Sequence, residues 1–231
     1  MKKITTLLLD ADNTLLDFNK DEHQALVKAL EHFGVPATDE NTKIYSEINQ
    51  GMWKQLERGE ITKPELKSTR FRLFFDAIGF QSSEEPLTVN DYYLNLLGEG
   101  GNTLEGAVET VKALHKAGID LYIVTNGVAL TQARRLERSG ILPFISEVFV
   151  SETVGYQKPR KEYFDYVLEK IPEKDKEKIL LVGDSLTSDI KGAMNASINC
   201  CWLNLFGEKM PGEYAADYEI SKISDLVDIV L

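Results

Sequence analysis

Cysteine is almost missing from this chain: there are two in 231 residues, the neighbours Cys200 and Cys201. Adjacent cysteines are a poor disulfide pair, so a secreted fold stapled by disulfides is not expected. No apolar run approaches the roughly 20 residues of a membrane span. Positive charge is also short. Lys and Arg number 26 against 37 Asp and Glu, for a net charge of −11. That balance argues against a nucleic-acid backbone or an anionic membrane as the main partner. Apolar residues are plentiful at 43%. They can build a core, and they exclude the low-hydrophobicity class of disordered chains. The first ten residues are basic and then apolar, but the run is too short for a signal peptide and ends in a carboxylate. A cytoplasmic protein is expected, with one large domain or a core carrying an insertion.

Ile4–Leu9 is a nearly continuous apolar run, as a strand buried on both faces would be. Ile119–Val124, Ile179–Val182 and Ile198–Leu203 read the same way, with Glu147–Val150 a shorter fifth. Between them Leu104–Lys116, Leu130–Ser139, Lys161–Lys170 and Ser188–Ala196 carry apolar residues at spacings of three and four. Alternating strands and helices predict an α/β fold, a Rossmann-like parallel sheet with helices on both faces. Residues 20–98 break the alternation. Asp21–Phe33, Glu40–Glu57, Lys63–Ile78 and Asp91–Leu97 read as successive helices, and Gly98-Glu99-Gly100-Gly101-Asn102 as the linker that ends them. The division expected is a core of residues 1–16 and 100–231, interrupted by an all-helical domain of residues 17–99.

In such sheets ligands bind at the carboxyl ends of the strands. The first strand ends in Asp10-Ala11-Asp12-Asn13-Thr14, with two carboxylates that an extended backbone points the same way. A polar turn or a helix cap would also explain them. Thr125-Asn126-Gly127 follows the second strand and opens a helix. A hydroxyl, an amide and main-chain N–H groups there suit a phosphate, although Asn-Gly is also a common turn. Lys158-Pro159 follows the third strand, where a lone lysine is ordinarily a surface charge. Gly183-Asp184-Ser185 follows the fourth, with Asp189 five residues on, and acidic residues there often cap helices. Each signal is weak alone. Four strand ends bearing Asp, Thr, Lys and Asp in this order converge on one sheet edge.

The four motifs, in order and over the whole chain, resemble the haloacid dehalogenase superfamily, and specifically its phosphatases. The long interval between Asp10 and Thr125 has room for the helical cap that many members insert there. A narrower resemblance is to the pyrimidine 5′-nucleotidases that act on non-canonical nucleotides. It rests on Asp10–Phe18, on Gln132-Ala133-Arg134-Arg135-Leu136-Glu137-Arg138-Ser139-Gly140 and on Cys201-Trp202-Leu203-Asn204. Many members have Gly where this chain has Asn13.

The resemblance implies a phosphomonoesterase that works in two steps. Asp10 would be the nucleophile, and Asp12 the acid for the leaving alcohol and then the base for water. Thr125, the Asn126 main chain and Lys158 would hold the phosphoryl oxygens. Mg²⁺ would be held by Asp10, Asp184 and the Asp12 carbonyl, with Asp189 orienting from behind. The implied substrate is a small phosphorylated metabolite, a nucleoside 5′-monophosphate of pyrimidine type. A phosphatase for a sugar phosphate or phosphoglycolate is the alternative, a phosphomutase a third reading, and a binding protein on a retired enzyme fold a fourth. Leaving-group contacts are expected from the cap, with Phe18, Trp53 and Arg70 as candidates beside their plainer readings as packing or surface charge. His23, His32 and His115 show no metal-ligand spacing. The two cysteines are expected to be buried and inert, one on each face of the last strand.

Overall fold

Three leucines in a row place the first strand, β1 (Thr6–Leu9), where neither face meets water: all four of its residues are buried. Leu7 and Leu9 enter one apolar cluster and Leu8 a second, on the opposite face. Burying each contributes about 1.5–3 kcal/mol. The computed structural model describes residues 3–231. The remaining strands are β2 (Asp120–Thr125), β3 (Glu147–Val150), β4 (Ile179–Gly183), β5 (Asn199–Leu203) and β6 (Tyr218–Ile220). Their order is β3-β2-β1-β4-β5-β6 and every pair is parallel. The chain runs outward from β1 to β3 and then returns to β4 on the other side of β1. That reversal is where such sheets place their ligands.

The five expected strands are present. The sixth, β6, was not expected. It is three residues long with only Ile220 buried, too short for any alternation to register. It pairs with β5 and leaves the sheet a three-residue edge strand, a short edge of the kind that discourages further pairing.

Contacts divide the chain into two compact units, Met1–Phe18 with Gly101–Leu231, and Asn19–Gly100. The second unit holds most of α1 (Phe18–His32), then α2 (Asp39–Glu57), α3 (Lys63–Ile78) and α4 (Pro86–Leu97). Helix α3 is closed at both ends. Thr62 and Glu65 form a reciprocal capping box, and Gly79 ends it at φ 64°. Helix α4 begins at Pro86, a turn earlier than the spacing predicts. Its cap residue Glu85 makes no side-chain capping bond, so the usual start signal is lacking. The rings of Tyr45, Phe71, Phe74 and Tyr93 fill this unit's interior.

In the first unit the helices are α5 (Ala107–Lys116), α6 (Ala129–Ser139), α7 (Ser151–Val154), α8 (Lys161–Lys170), α9 (Lys191–Ala196) and α10 (Leu226–Val230). Val111, Leu114, Leu136, Leu226 and Val230 cover the face that Leu7 and Leu9 present. Tyr163, Phe164, Val167, Ala193 and Ala196 cover the other. The architecture is therefore three layers, helices on both sides of a parallel sheet. Alternation along β5 sends Cys201 to the first cluster and Cys200 to the second. Burial pushes their thiols up to about 12 and about 11, which keeps them protonated and inert. Among the described residues no helix is long and apolar enough to cross a membrane.

Candidate active site

Strand register sets the site. Leu9 lies level with Ile123 and Val182, so Asp10, Thr125 and Asp184 all follow within two residues of one level. After Asp10 the chain doubles back, with the Leu15 and Leu16 N–H groups donating to the Ala11 carbonyl and Asn13 N–H to that of Leu16. Asn13 takes a left-handed φ of 56°. Asparagine, after glycine, tolerates that region best, which is the physical reason Asn can stand here. Beside the turn, the Thr14 hydroxyl donates to Asp10 Oδ2 at 3.3 Å.

Lys158 is not a surface charge: it is 1% exposed. Its ammonium donates to Asp10 Oδ1 at 2.5 Å, Asp189 Oδ1 at 2.7 Å and the Val124 carbonyl at 2.8 Å. All three of its protons are thereby used. The Asn126 side chain grips the Lys158 main chain at both ends, donating to its carbonyl and accepting from its N–H, each at 2.9 Å. Its amide is thus a positioning group for Lys158. Asp189 Oδ2 accepts the Ser185 N–H at 3.2 Å. A Cβ on residue 183 would lie 2.2 Å from that oxygen, so only glycine lets Asp189 reach its place. The Trp202 indole donates to the Asp184 carbonyl at 2.9 Å, pinning the next loop.

Charge here is unbalanced. Asp10, Asp184 and Asp189 bring carboxylate oxygens within 4.8 Å of one another, around one ammonium. Burial, with help from Asp189 and Asp12, pushes the Asp10 carboxyl up to about 7 against the pull of Lys158. Burial, then Asp10 and Asp189, hold Asp184 well above the usual carboxylate range. Burial would lower the Lys158 ammonium, but Asp10 and Asp189 outweigh it and raise it. Hard oxygen donors with surplus negative charge fit a divalent cation such as Mg²⁺.

Thr125 is buried, and its hydroxyl oxygen accepts from the Gly127 N–H and from Gln132 Nε2, both at 3.0 Å. With both lone pairs engaged, its one proton is left to donate, which suits a phosphoryl oxygen. Asp12 stands beside this group. Arg135 Nη1 pairs with its Oδ1, and Gln132 Nε2 donates to its Oδ2 at 2.7 Å. Every site residue expected from the sequence lies in this cluster or against it. Thr14, Gln132 and Arg135 were missed as site residues. The signal was present for two of them: Gln132 and Arg135 are one turn apart on the helix that follows Thr125.

Phe18 packs under Arg135, whose guanidinium carbon is 5.5 Å from the ring centroid. Trp53 packs against Met52, Leu56 and Leu66 inside the helical unit. Arg70 is neither a surface charge nor open to solvent: it is buried and donates to Asn90 Oδ1 at 2.8 Å and Asn49 Oδ1 at 3.1 Å.

A family model for haloacid dehalogenase-like hydrolases matches residues 4–197. The HAD-hydrolase YfnB of Bacillus subtilis (strain 168) is 41% identical over 230 residues, covering 100% of this chain and 97% of YfnB. The pyrimidine 5′-nucleotidase PynA of Streptococcus pneumoniae is 36% identical, over 96% of this chain and 93% of its own length. The pyrimidine 5′-nucleotidase YjjG of Escherichia coli (strain K12) is 32% identical, over 97% and 96%. The crystal structure of magnesium-bound YfnB aligns with a TM-score of 0.94, covering 99% of both chains.

Proposed function

This chain belongs to the haloacid dehalogenase-like hydrolase family as a phosphoric monoester hydrolase, and we propose that it hydrolyses nucleoside 5′-monophosphates, pyrimidines in preference, through an aspartyl-phosphate on Asp10. The observation that carries the chemistry is the pairing of a buried carboxylate, Asp10, with a buried ammonium, Lys158, beside a second carboxylate, Asp12. The pyrimidine preference is supported by PynA and YjjG.

An Asp10 oxygen attacks phosphorus, and the bond from phosphorus to the leaving oxygen breaks. The leaving oxygen keeps the electron pair and takes a proton from Asp12. Water then attacks the aspartyl-phosphate and gives a proton to Asp12. The bond to Asp10 breaks, and its electron pair returns to the Asp10 carboxylate. Thr125 donates its remaining proton to a phosphoryl oxygen. Lys158 favours the ionised, nucleophilic form of Asp10 against the effect of burial and fixes its direction. Asp189 holds Lys158 from behind. Mg²⁺, held by Asp10, Asp184 and the Asp12 carbonyl, would offset the repulsion between a carboxylate nucleophile and a phosphate dianion.

The test is phosphate release with Mg²⁺ from dUMP, dTMP, UMP, AMP, glucose 6-phosphate and phosphoglycolate, with Asp10→Asn as control. The expected result favours the pyrimidine nucleotides and vanishes in the variant. Preference for a sugar phosphate or phosphoglycolate would overturn the substrate class and leave the mechanism standing. Activity that survives Asp10→Asn would overturn the mechanism.

A further inference from the structure

Helix α6 builds an environment around Asp12 that the reaction above leaves unused. Arg135 is 1% exposed, and a guanidinium that deep is costly unless it is paired. Its partner is Asp12 Oδ1, and its flat face lies over the Phe18 ring. Gln132, equally buried, uses one amide nitrogen twice, on Asp12 Oδ2 at 2.7 Å and on Thr125 Oγ1 at 3.0 Å. Its amide oxygen accepts Arg135 Nη1 at 3.0 Å. Asp12, Thr125, Gln132 and Arg135 form one hydrogen-bonded set. A Cβ on residue 127 would fall 2.4 Å from Gln132 Cγ, so the glycine opposite is part of the fit.

We propose that Gln132 and Arg135 are positioning residues that aim Asp12 at the leaving oxygen, at a fixed distance from the phosphoryl anchor Thr125. The inference rests on the phosphatase reading. Both carboxylate oxygens of Asp12 are held by donors, although its side chain is 28% exposed. A half-open aspartate has several staggered orientations, and proton transfer needs one of them. Gln132 ties the chosen orientation to the group that grips phosphate, so the acid and the phosphoryl group are placed together. An ion pair that only fastened α6 to the turn after β1 would have no need of the link to Thr125.

A mis-aimed acid harms one kind of substrate most. When the bond from phosphorus to an alkoxide breaks, the leaving oxygen must take the Asp12 proton. A p-nitrophenolate leaves with its electron pair and needs no proton. Rapid-quench measurements on Gln132→Met, Arg135→Met and Arg135→Lys separate the two. The readouts are the phosphorylation rate with a nucleoside 5′-monophosphate and the p-nitrophenol burst with p-nitrophenyl phosphate, with KM and the unfolding temperature alongside. General acids contribute about 10²–10⁴-fold, and small misplacements cost about 10²-fold. The expected loss is therefore about 10²-fold for the nucleotide. For the burst and for KM it is at most about 3-fold, with Arg135→Lys partly restored. Equal slowing of both substrates, or a loss confined to KM, would overturn the proposal. If Arg135→Met does not fold, Gln132→Met carries the same comparison. A wild-type protein inactive on both substrates would overturn the phosphatase reading itself, before any variant is compared.

Discussion

Two buried polar networks can be set side by side. In the helical unit Glu22 accepts from Ser46 at 2.7 Å and from Asn49 at 2.6 Å; Asn49 accepts from Arg70, and Arg70 donates to Asn90. One carboxylate answers one guanidinium, with amides between them and the Tyr93 ring 4.9 Å beneath the guanidinium carbon. At the sheet edge three carboxylates, Asp10, Asp184 and Asp189, share the single ammonium of Lys158. The first network is balanced in charge, although Arg70 Nη2 has no hydrogen-bond partner among the described residues, and it ties the helices together. The second keeps surplus negative charge in a place where charge is costly. Burial alone does not mark a site; a surplus of buried charge does.

The sharpest break in that comparison is removal of divalent cations. A chelator should lower phosphate release at least about 100-fold, with recovery on adding Mg²⁺. Full activity in chelator would mean the carboxylates need no cation. Next is Gly183→Ala. The new Cβ drives the Asp189 carboxylate from its place behind Lys158, and kcat should fall about 10–100-fold. An unchanged kcat would show that Lys158 holds Asp10 without help.

Arg70→Met probes the balanced network. It strands the Asn49 and Asn90 carbonyls, which should cost roughly 3 kcal/mol. In a protein this size that lowers the unfolding temperature by roughly 6–12 °C. A neutral result would mean the network contributes nothing to stability.

The last test is a pH dependence. Folding lifts the Asp10 carboxyl from 3.8 to about 7, so the folded chain keeps a proton that the unfolded chain releases. Stability from this group is present below pH 3.8 and is lost as pH rises towards 7. Asn carries no such proton. In metal-free buffer Asp10→Asn should therefore unfold at a higher temperature than wild type, by a margin that widens from pH 4 to 7. Mg²⁺ should close the gap. A gap independent of pH would assign the effect to packing.

Much of this was legible beforehand, because the strongest patterns are the ones burial writes most directly. β1 has no polar residue between Leu7 and Leu9, and α1 to α3 repeat apolar residues at helical spacing. The acids and the lysine at the strand ends stood out against those runs. Other parts were hidden for identifiable reasons. Residues 218–220 are too few to show a period, and α4 lacks a capping side chain. Gln132 and Arg135 stood out by their spacing on the helix after Thr125, but polar residues so placed usually form a solvent face. Their burial, and their meeting with Asp12, follow from which way α6 faces. Lys158 and Arg70 mislead similarly, since long cationic side chains are usually at the surface.

By itself the sequence determined the layers, the helical interruption and which residue types end each strand, because hydrophobic periodicity and short-range chain geometry are local properties. Only the tertiary structure decided which polar groups meet. Parallel register brought Asp10, Thr125 and Asp184 level, Lys158 came inward to three acceptors, and α6 turned Gln132 and Arg135 onto Asp12. Those meetings join residues far apart in the chain, and their energies depend on distance and burial, quantities that exist only once the chain has folded.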